Sequence, residues 1–193
     1  GKRKVVGFNG SPRKKGNTQI LLEKVCGVLQ KEGIETEILQ LGGKKIKGCS
    51  SCYKCFQNRD KRCSMDNDIL NEYLAKMLES DGILLGSPVY FANMTAETKA
   101  LIDRAGLVGT ANGGLYKHKV GASVVAVRRA GAVTTFDALN HFFLYGQMFV
   151  PGSSYWNVSI GLNPGDVEKD EEGMNTMQNL GENMAFLMKK VNT

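Results

Sequence analysis

The chain of 193 residues fits one domain, and its 42% hydrophobic and 23% charged residues are enough for a sizeable core. The net charge of +6 comes from scattered basic residues, without a long basic helix or an aromatic-interleaved RNA motif, so nucleic-acid binding is not expected. No apolar run reaches the roughly 18 residues of a membrane helix, and no secretory signal is visible. We therefore expect no membrane association, a cytoplasmic location, and an anionic cofactor or acidic partner for the positive charge.

Short apolar strands alternate with amphipathic helices along the chain. The first strand is predicted at residues 4–9, and Thr18 is expected to cap the helix that follows. The later elements are predicted as strands at 34–41, 82–87, 119–127 and 155–160 and as helices at 69–79, 96–104, 134–145 and 174–191. This alternation is typical of a doubly wound parallel sheet with helices on both faces, a three-layer α/β/α domain. We expect a single domain over residues 1–193, with a cysteine-rich insertion at about 42–68 that is too long for an ordinary connection.

The loop after the first strand has the composition of a phosphate site. It reads GSPRKKGNT, residues 10–18, and contains Gly16 but neither a Walker motif nor G-x-G-x-x-G. The helix N-terminus offers free backbone N–H groups, and Ser11, Asn17 and Thr18 add side-chain donors. Arg13 adds a charge-assisted bond. The alternative is a plain turn with a capping threonine, although capping alone does not require so many polar and glycine positions.

Two loops carry a resemblance to a known family. GSPRKKGNT resembles the phosphate loop S-x-R-x-x-G-N-T of the flavodoxin-like NAD(P)H-dependent FMN reductases. The segment GSPVYFANMTAETKALIDR, residues 86–104, is similar to the second flavin loop of that family. The resemblance implies a flavodoxin-like sheet of five parallel strands in the order 2-1-3-4-5, with FMN at the switch point between the first and third strands. It also implies an FMN-dependent oxidoreductase with NAD(P)H as electron donor, assembled as a homodimer or homotetramer.

The second loop is expected to hold the flavin ring. Pro88 rigidifies the turn, and Tyr90 and Phe91 offer flat apolar area for a ring. Backbone N–H groups of this loop, which includes Val89 and Asn93, could face the pyrimidine oxygens and N1 and stabilise the charge of reduced flavin. In the alternative interpretation, the two aromatic residues only cover the sheet edge.

The loop after the fourth strand carries arginines where relatives are often glycine-rich. Arg128 or Arg129 could hold negative charge at the flavin, or either could be a solvated residue on the rim. Gly131 is expected to lie beside the flavin, as the resemblance implies for this loop.

Four of the five cysteines fall within fifteen residues. Cys49, Cys52, Cys55 and Cys63 form C-x2-C-x2-C-x7-C, a spacing that resembles iron–sulfur flavoproteins, in which a [4Fe–4S] cluster passes electrons to FMN. Basic neighbours in this segment would favour thiolates. Two alternatives stay open: a zinc site, which usually takes two separated C-x2-C pairs, and free or disulfide-forming thiols.

Three functions therefore remain in view. The first is electron transfer from NAD(P)H or a ferredoxin-like donor, through FMN and a cluster, to a small oxidant or a protein acceptor. The second is a cluster-free NAD(P)H:FMN or quinone reductase, and the third is a non-enzymatic flavodoxin-like carrier. The chemistry belongs to the flavin in each case, so we assign no catalytic acid or base.

Overall fold

The structure is a computed structural model that describes residues 1–191. Its strands, in chain order, are β1 (Lys4–Asn9), β2 (Glu35–Gln40), β3 (Gly82–Pro88), β4 (Val120–Val127) and β5 (Val158–Ile160). Its helices are α1 (Asn17–Lys31), α2 (Lys54–Asn58), α3 (Leu70–Glu79), α4 (Ala96–Ala111), α5 (Ala132–Tyr145) and α6 (Glu171–Lys190), with a 3₁₀ turn at Asp166–Lys169. Within the described range, no helix is both long enough and apolar enough to cross a membrane.

The strands form one parallel sheet in the order β2-β1-β3-β4-β5. The central strands β3 and β4 are almost continuously buried, because helices cover both faces of the sheet. The edge strand β2 instead alternates between exposed and partly buried residues. The predicted sheet, its strand order and its three layers are confirmed.

Each face of the sheet has its own apolar core. One core joins the sheet to α3, α4 and α5, with Tyr73, Leu101 and Phe143 among its buried residues. The other joins it to α1 and α6, where a Cβ added at Gly181 would lie 2.7 Å from the Cβ of Val28. The sequential order of strands and helices thus brings the carboxyl ends of β1, β3 and β4 to the same edge of the sheet.

Three elements differ from their predicted bounds. Helix α4 continues to Ala111 instead of ending near residue 104, because Ala105 and Val108 keep its apolar face buried. Strand β5 begins at Val158, and Trp156 before it is half exposed. The cysteine-rich segment contains the short helix α2, which the sequence periodicity did not predict.

Candidate flavin site and cysteine cavity

The loops after β1 and β3 are tied together at the carboxyl edge of the sheet. The backbone N–H of Gly10 donates to the carbonyl of Gly86 at 2.8 Å, and the Thr95 hydroxyl donates to the carbonyl of Gly10 at 2.7 Å. A Cβ at Gly10 would lie 2.1 Å from the Thr98 hydroxyl oxygen, so only glycine fits between the loops. The two sequence motifs therefore lie side by side.

A buried amide framework, which sequence reasoning missed, shapes the first loop. Asn9 is fully buried, and its Oδ1 accepts a hydrogen bond from the Ser11 backbone N–H at 3.0 Å. The Gln40 amide, at the end of β2, donates to the carbonyls of Ser11 at 2.7 Å and Gly42 at 2.8 Å. Asn9 Nδ2 in turn donates to Gln40 Oε1 at 3.2 Å. The only sequence signal for this framework is a polar residue at the end of each of two neighbouring strands.

The first turn of α1 is uncapped. Gly16 occupies the N-cap position without a side-chain bond, and Thr18 lies inside the first turn, so the predicted cap at Thr18 is wrong. Within residues 1–191, five backbone N–H groups here donate to no acceptor, those of Lys14, Lys15, Asn17, Thr18 and Gln19. The hydroxyls of Ser11 and Thr18 likewise donate to no acceptor in the described range, although both residues are buried. This combination of free donors and a helix N-terminus suits an anion.

Two predicted phosphate ligands are engaged elsewhere. Asn17 Nδ2 donates to the Asn163 carbonyl at 3.0 Å, and its Oδ1 accepts from the Gly165 backbone N–H at 2.9 Å. The exposed guanidinium of Arg13 donates to the Leu162 carbonyl at 3.0 Å. Both side chains thus fix the loop after β5, and their contact with a phosphate stays a prediction.

The second loop ends in a strained two-residue turn. The backbones of Tyr90 and Asn93 exchange hydrogen bonds of 2.8 and 3.1 Å, and the residues between them, Phe91 and Ala92, have φ angles of 48° and 61°. Such turns normally carry asparagine or glycine, and non-glycine residues at positive φ cluster at functional sites. Phe91 is fully exposed and covers no sheet edge, which argues against that alternative. Val89, Tyr90 and Asn93 donate their backbone N–H groups, whereas those of Phe91 and Ala92 have no acceptor among residues 1–191.

The loop after β4 packs against the second loop. Gly131 has a φ of 88°, and a Cβ there would lie 2.9 Å from Ala92 Cα and 2.9 Å from Val89 Cγ1. Arg128 and Arg129 are exposed, and neither makes a hydrogen bond or ion pair within the described part of the chain. The structure therefore brings Gly131 to the second loop and leaves both arginines at the rim.

A groove of about 730 Å³ runs between α4 and α5 and begins at Asn93 and Met94 of the second loop. Tyr116, Phe142 and Tyr145 contribute its aromatic lining. Its volume is within the range of small-molecule sites. It is therefore a candidate space for a small electron donor or acceptor beside the second loop.

The four predicted cysteine ligands line one small cavity. Cys49 and Cys52 are exposed, Cys55 is buried at the start of α2, and Cys63 is half-buried. A hydrogen bond from the Ser64 hydroxyl and one from backbone lower the pKa of Cys52 to about 7, whereas burial raises the pKa of Cys55. The sequence motif thus corresponds to one place in the fold.

The cysteine cavity is too tight to hold more than about one water molecule, with a volume of about 20 Å³. All five cysteines of the chain are free thiols. As the side chains stand between residues 1 and 191, no three histidine, cysteine, aspartate or glutamate residues are placed to hold a metal ion. A bound group would therefore require the exposed side of the cavity, with Cys49 and Cys52, to move outward.

Comparison with known proteins agrees with this geometry. Residues 3–163 match the family model described as NADPH-dependent FMN reductase. An iron–sulfur flavoprotein of Methanocaldococcus jannaschii is 37% identical over 195 residues, which cover 97% of this chain and 98% of the relative.

Solved structures support the fold. RosB, solved with the bound intermediate 8-demethyl-8-formylriboflavin-5′-phosphate, superposes with a TM-score of 0.78 at 19% identity, over 97% of this chain and 79% of that one. A WrbA-like flavodoxin of Agrobacterium tumefaciens superposes with a TM-score of 0.70 at 12% identity, over 100% of both chains. The fold is therefore flavodoxin-like, and the chain belongs to the NADPH-dependent FMN reductase family of FMN-dependent redox proteins.

Proposed function

We propose that this protein binds FMN at the carboxyl edge of its sheet and moves electrons from NAD(P)H or a ferredoxin-like donor to a small oxidant or a protein acceptor. The observation that carries the proposal is the uncapped N-terminus of α1, whose free backbone N–H groups lie at the switch point between β1 and β3. The hydroxyls of Ser11 and Thr18 would add two donors to the FMN phosphate. Gly16 lets the loop pack closely on Arg13, because a Cβ at Gly16 would lie 2.9 Å from Arg13 Cβ. Arg13 is exposed and can exchange the Leu162 carbonyl for the phosphate.

The flavin ring belongs beside the second loop in this proposal. Tyr90 and the exposed Phe91 offer aromatic surface, and the N–H groups of Phe91 and Ala92 would face the pyrimidine edge, where reduction adds negative charge. Pro88 ends β3 just before this turn, and Gly131 packs against Val89 and Ala92. Bound FMN supplies a hydride acceptor that can also exchange single electrons. The exposed Arg128 would add positive charge at the rim of the site.

The cysteine cavity is the proposed place of a [4Fe–4S] cluster, with Cys49, Cys52, Cys55 and Cys63 as ligands. Three features support this assignment: the four thiols line the same cavity, a buried guanidinium donates to one of them, and the Methanocaldococcus relative is named an iron–sulfur flavoprotein. The exposed side of the cavity would move outward to admit the cluster. A cluster-free reductase remains the second candidate function, since the cavity is tight as it stands.

Anaerobically purified protein tests both parts of the proposal. Titration of the apoprotein with FMN should quench flavin fluorescence at one equivalent, and NADH or NADPH should be oxidised in the presence of a quinone. Failure to bind FMN would refute the flavin site, and binding without turnover under any donor would favour a carrier. Assay of iron and acid-labile sulfide should give four of each per chain for a [4Fe–4S] cluster. Values near zero would leave the cluster-free reductase.

A further inference from the structure

Arg104 of α4 is a buried cation that contacts the cysteine-rich segment. Its side chain is 1% exposed, and its Nη1 donates to the Lys47 carbonyl at 3.0 Å and to Asp68 Oδ2 at 2.5 Å. Its Nη2 donates to the Met65 carbonyl at 2.8 Å and to Cys63 Sγ at 3.4 Å. All four acceptors belong to the segment between β2 and α3, so one side chain fastens both ends of the cysteine-rich segment to α4.

Asp68 keeps this buried cation paired. Its Oδ2 accepts from both Arg104 and the Lys47 backbone N–H, the latter at 2.9 Å. Burial alone would raise the pKa of the Asp68 carboxyl, but the hydrogen bonds from Arg104 and two backbone N–H groups hold it below its usual range. A buried cation without such a partner is strongly disfavoured. The pair therefore works as a fixed structural unit.

Cys63 is the most firmly placed thiol of the motif. The Asn71 side chain binds both backbone groups of Cys63, accepting from its N–H at 2.8 Å and donating to its carbonyl at 2.9 Å. With the Arg104 bond to Sγ, three contacts point this cysteine into the cavity. Cys49 and Cys52, by contrast, are exposed. The longer gap of seven residues before Cys63 is thus spanned by a chain that Asn71 and Arg104 hold in place.

One donor of this arrangement has no acceptor. Arg104 lines the cavity, and its buried Nε–H finds no hydrogen-bond partner within residues 1–191. Buried donors in folded proteins are nearly always satisfied, and exceptions point to a bound water or ion or to a functional role. The unsatisfied donor therefore belongs to a residue that lines the cysteine cavity.

We infer that Arg104 is a positioning residue of the cysteine cavity, which presents Cys63 and raises the electron affinity of an anionic iron–sulfur cluster bound there. The inference rests on the proposed cluster. Its physical basis is that N–H···S bonds and a nearby positive charge stabilise the reduced, more negative cluster over the oxidised one. Arginine is favoured at this position because its planar guanidinium can donate to several acceptors at once and remains positively charged.

The experiment compares anaerobically purified wild-type protein with Arg104→Gln, Arg104→Lys and the double variant Arg104→Gln/Asp68→Asn. The double variant removes both buried charges, so it remains a test if the single Arg104→Gln variant fails to fold. Arg59→Gln is the matched control, because Arg59 is exposed in the same segment and, within residues 1–191, its side chain bonds to the Phe56 carbonyl alone. Each variant is measured for iron and sulfide content and for the cluster midpoint potential in a dye-mediated titration. Hydrogen exchange of peptides from residues 47–68 is measured in the FMN-loaded protein.

We expect the double variant to exchange residues 47–68 at least tenfold faster than wild type, while exchange in β3 and β4 is unchanged. The equilibrium constant for reduction of its cluster should fall at least tenfold, which corresponds to a midpoint potential 59 mV lower for a one-electron couple. The midpoint potential of Arg104→Lys should fall less, because lysine keeps the positive charge. Loss of iron from a folded, FMN-loaded variant would also support the positioning role. Unchanged exchange, or a potential equal to that of Arg59→Gln, would overturn the inference. Wild-type protein without iron and sulfide would refute the proposed cluster, and the exchange comparison would still decide whether Arg104 positions the segment.

Discussion

Gly42 offers a direct test of the proposed phosphate site, because it packs against the GSPRKKGNT loop without belonging to that motif. A Cβ at this position would lie 2.2 Å from the carbonyl carbon of Ser11, 2.3 Å from its oxygen and 2.5 Å from the nitrogen of Pro12. These are backbone atoms, so no rotamer change can make room, and Gly42→Ala must displace the start of the phosphate loop. Overpacking of this kind costs about 1–3 kcal/mol. At about 2–4 °C per kcal/mol for a chain of this size, the melting temperature should fall by about 2–12 °C.

The same displacement should weaken FMN binding. Loss of one hydrogen bond to a charged phosphate costs about 1.5–3 kcal/mol, which raises Kd by about 10- to 150-fold. Quenching of FMN fluorescence on titration of the apoprotein measures this change directly. Gly27→Ala is the matched control: nothing lies within 4 Å of its added Cβ, and in α1 it should raise stability by about 0.8–1 kcal/mol with no change in Kd. If Gly42→Ala binds FMN as tightly as wild type, the phosphate is not held next to Ser11.

Three further changes probe other parts of the molecule. Phe91→Gly should relieve about 1–3 kcal/mol of backbone strain, which raises the melting temperature, and should weaken FMN binding because the ring is lost. The control Ala92→Gly should also raise the melting temperature but keeps the Phe91 ring and the FMN Kd. A Phe91→Gly variant with wild-type Kd would contradict the ring contact. Asp68→Asn leaves a buried guanidinium unpaired and should cost about 3–5 kcal/mol in urea unfolding at pH 7. Because the folded pKa of Asp68 is depressed, this wild-type advantage should be complete above the unfolded pKa of about 3.9 and disappear as pH falls through the folded value; an advantage that persists in acid would refute the assignment. Cys55→Ser should abolish iron and sulfide binding but leave the FMN Kd unchanged. The control Cys26→Ala, in the core between α1 and the sheet, should keep wild-type iron content and wild-type FMN Kd. Equal iron in the two variants would exclude Cys55 as a ligand.

The sheet could be predicted from the sequence because its strands are short apolar runs separated by amphipathic helices. Helix bounds were less accurate where burial, not local pattern, decides them: α4 runs past Gly106 since its later turns still pack on the core. The positions of the two loops proposed to bind flavin also followed from the strand order, because parallel strands gather their carboxyl ends at one edge.

The side-chain roles at the site depended on contacts that are distant in sequence. The motif predicts Asn17 as a phosphate donor, yet its side-chain amide forms hydrogen bonds with the backbone of Asn163 and Gly165. Asn9 and Gln40 look like ordinary strand ends, and only the pairing of β1 with β2 brings their amides together. Arg104 likewise lies in a stretch that resembles a flavin loop, although its partners belong to the cysteine segment. No local pattern encodes such partners.

The bonds from Asn17 and Arg13 to the loop after β5 bear on when the protein can take up its cofactor. The first helix emerges early from the ribosome, but the residues that anchor its beginning, Leu162 to Gly165, are made after the fourth and fifth strands. Domains acquire their final packing as whole units during synthesis. A nascent chain that already carries the complete GSPRKKGNT motif should therefore still lack the proposed FMN pocket in its final form, and uptake of FMN there would follow completion of the fifth strand and the loop after it.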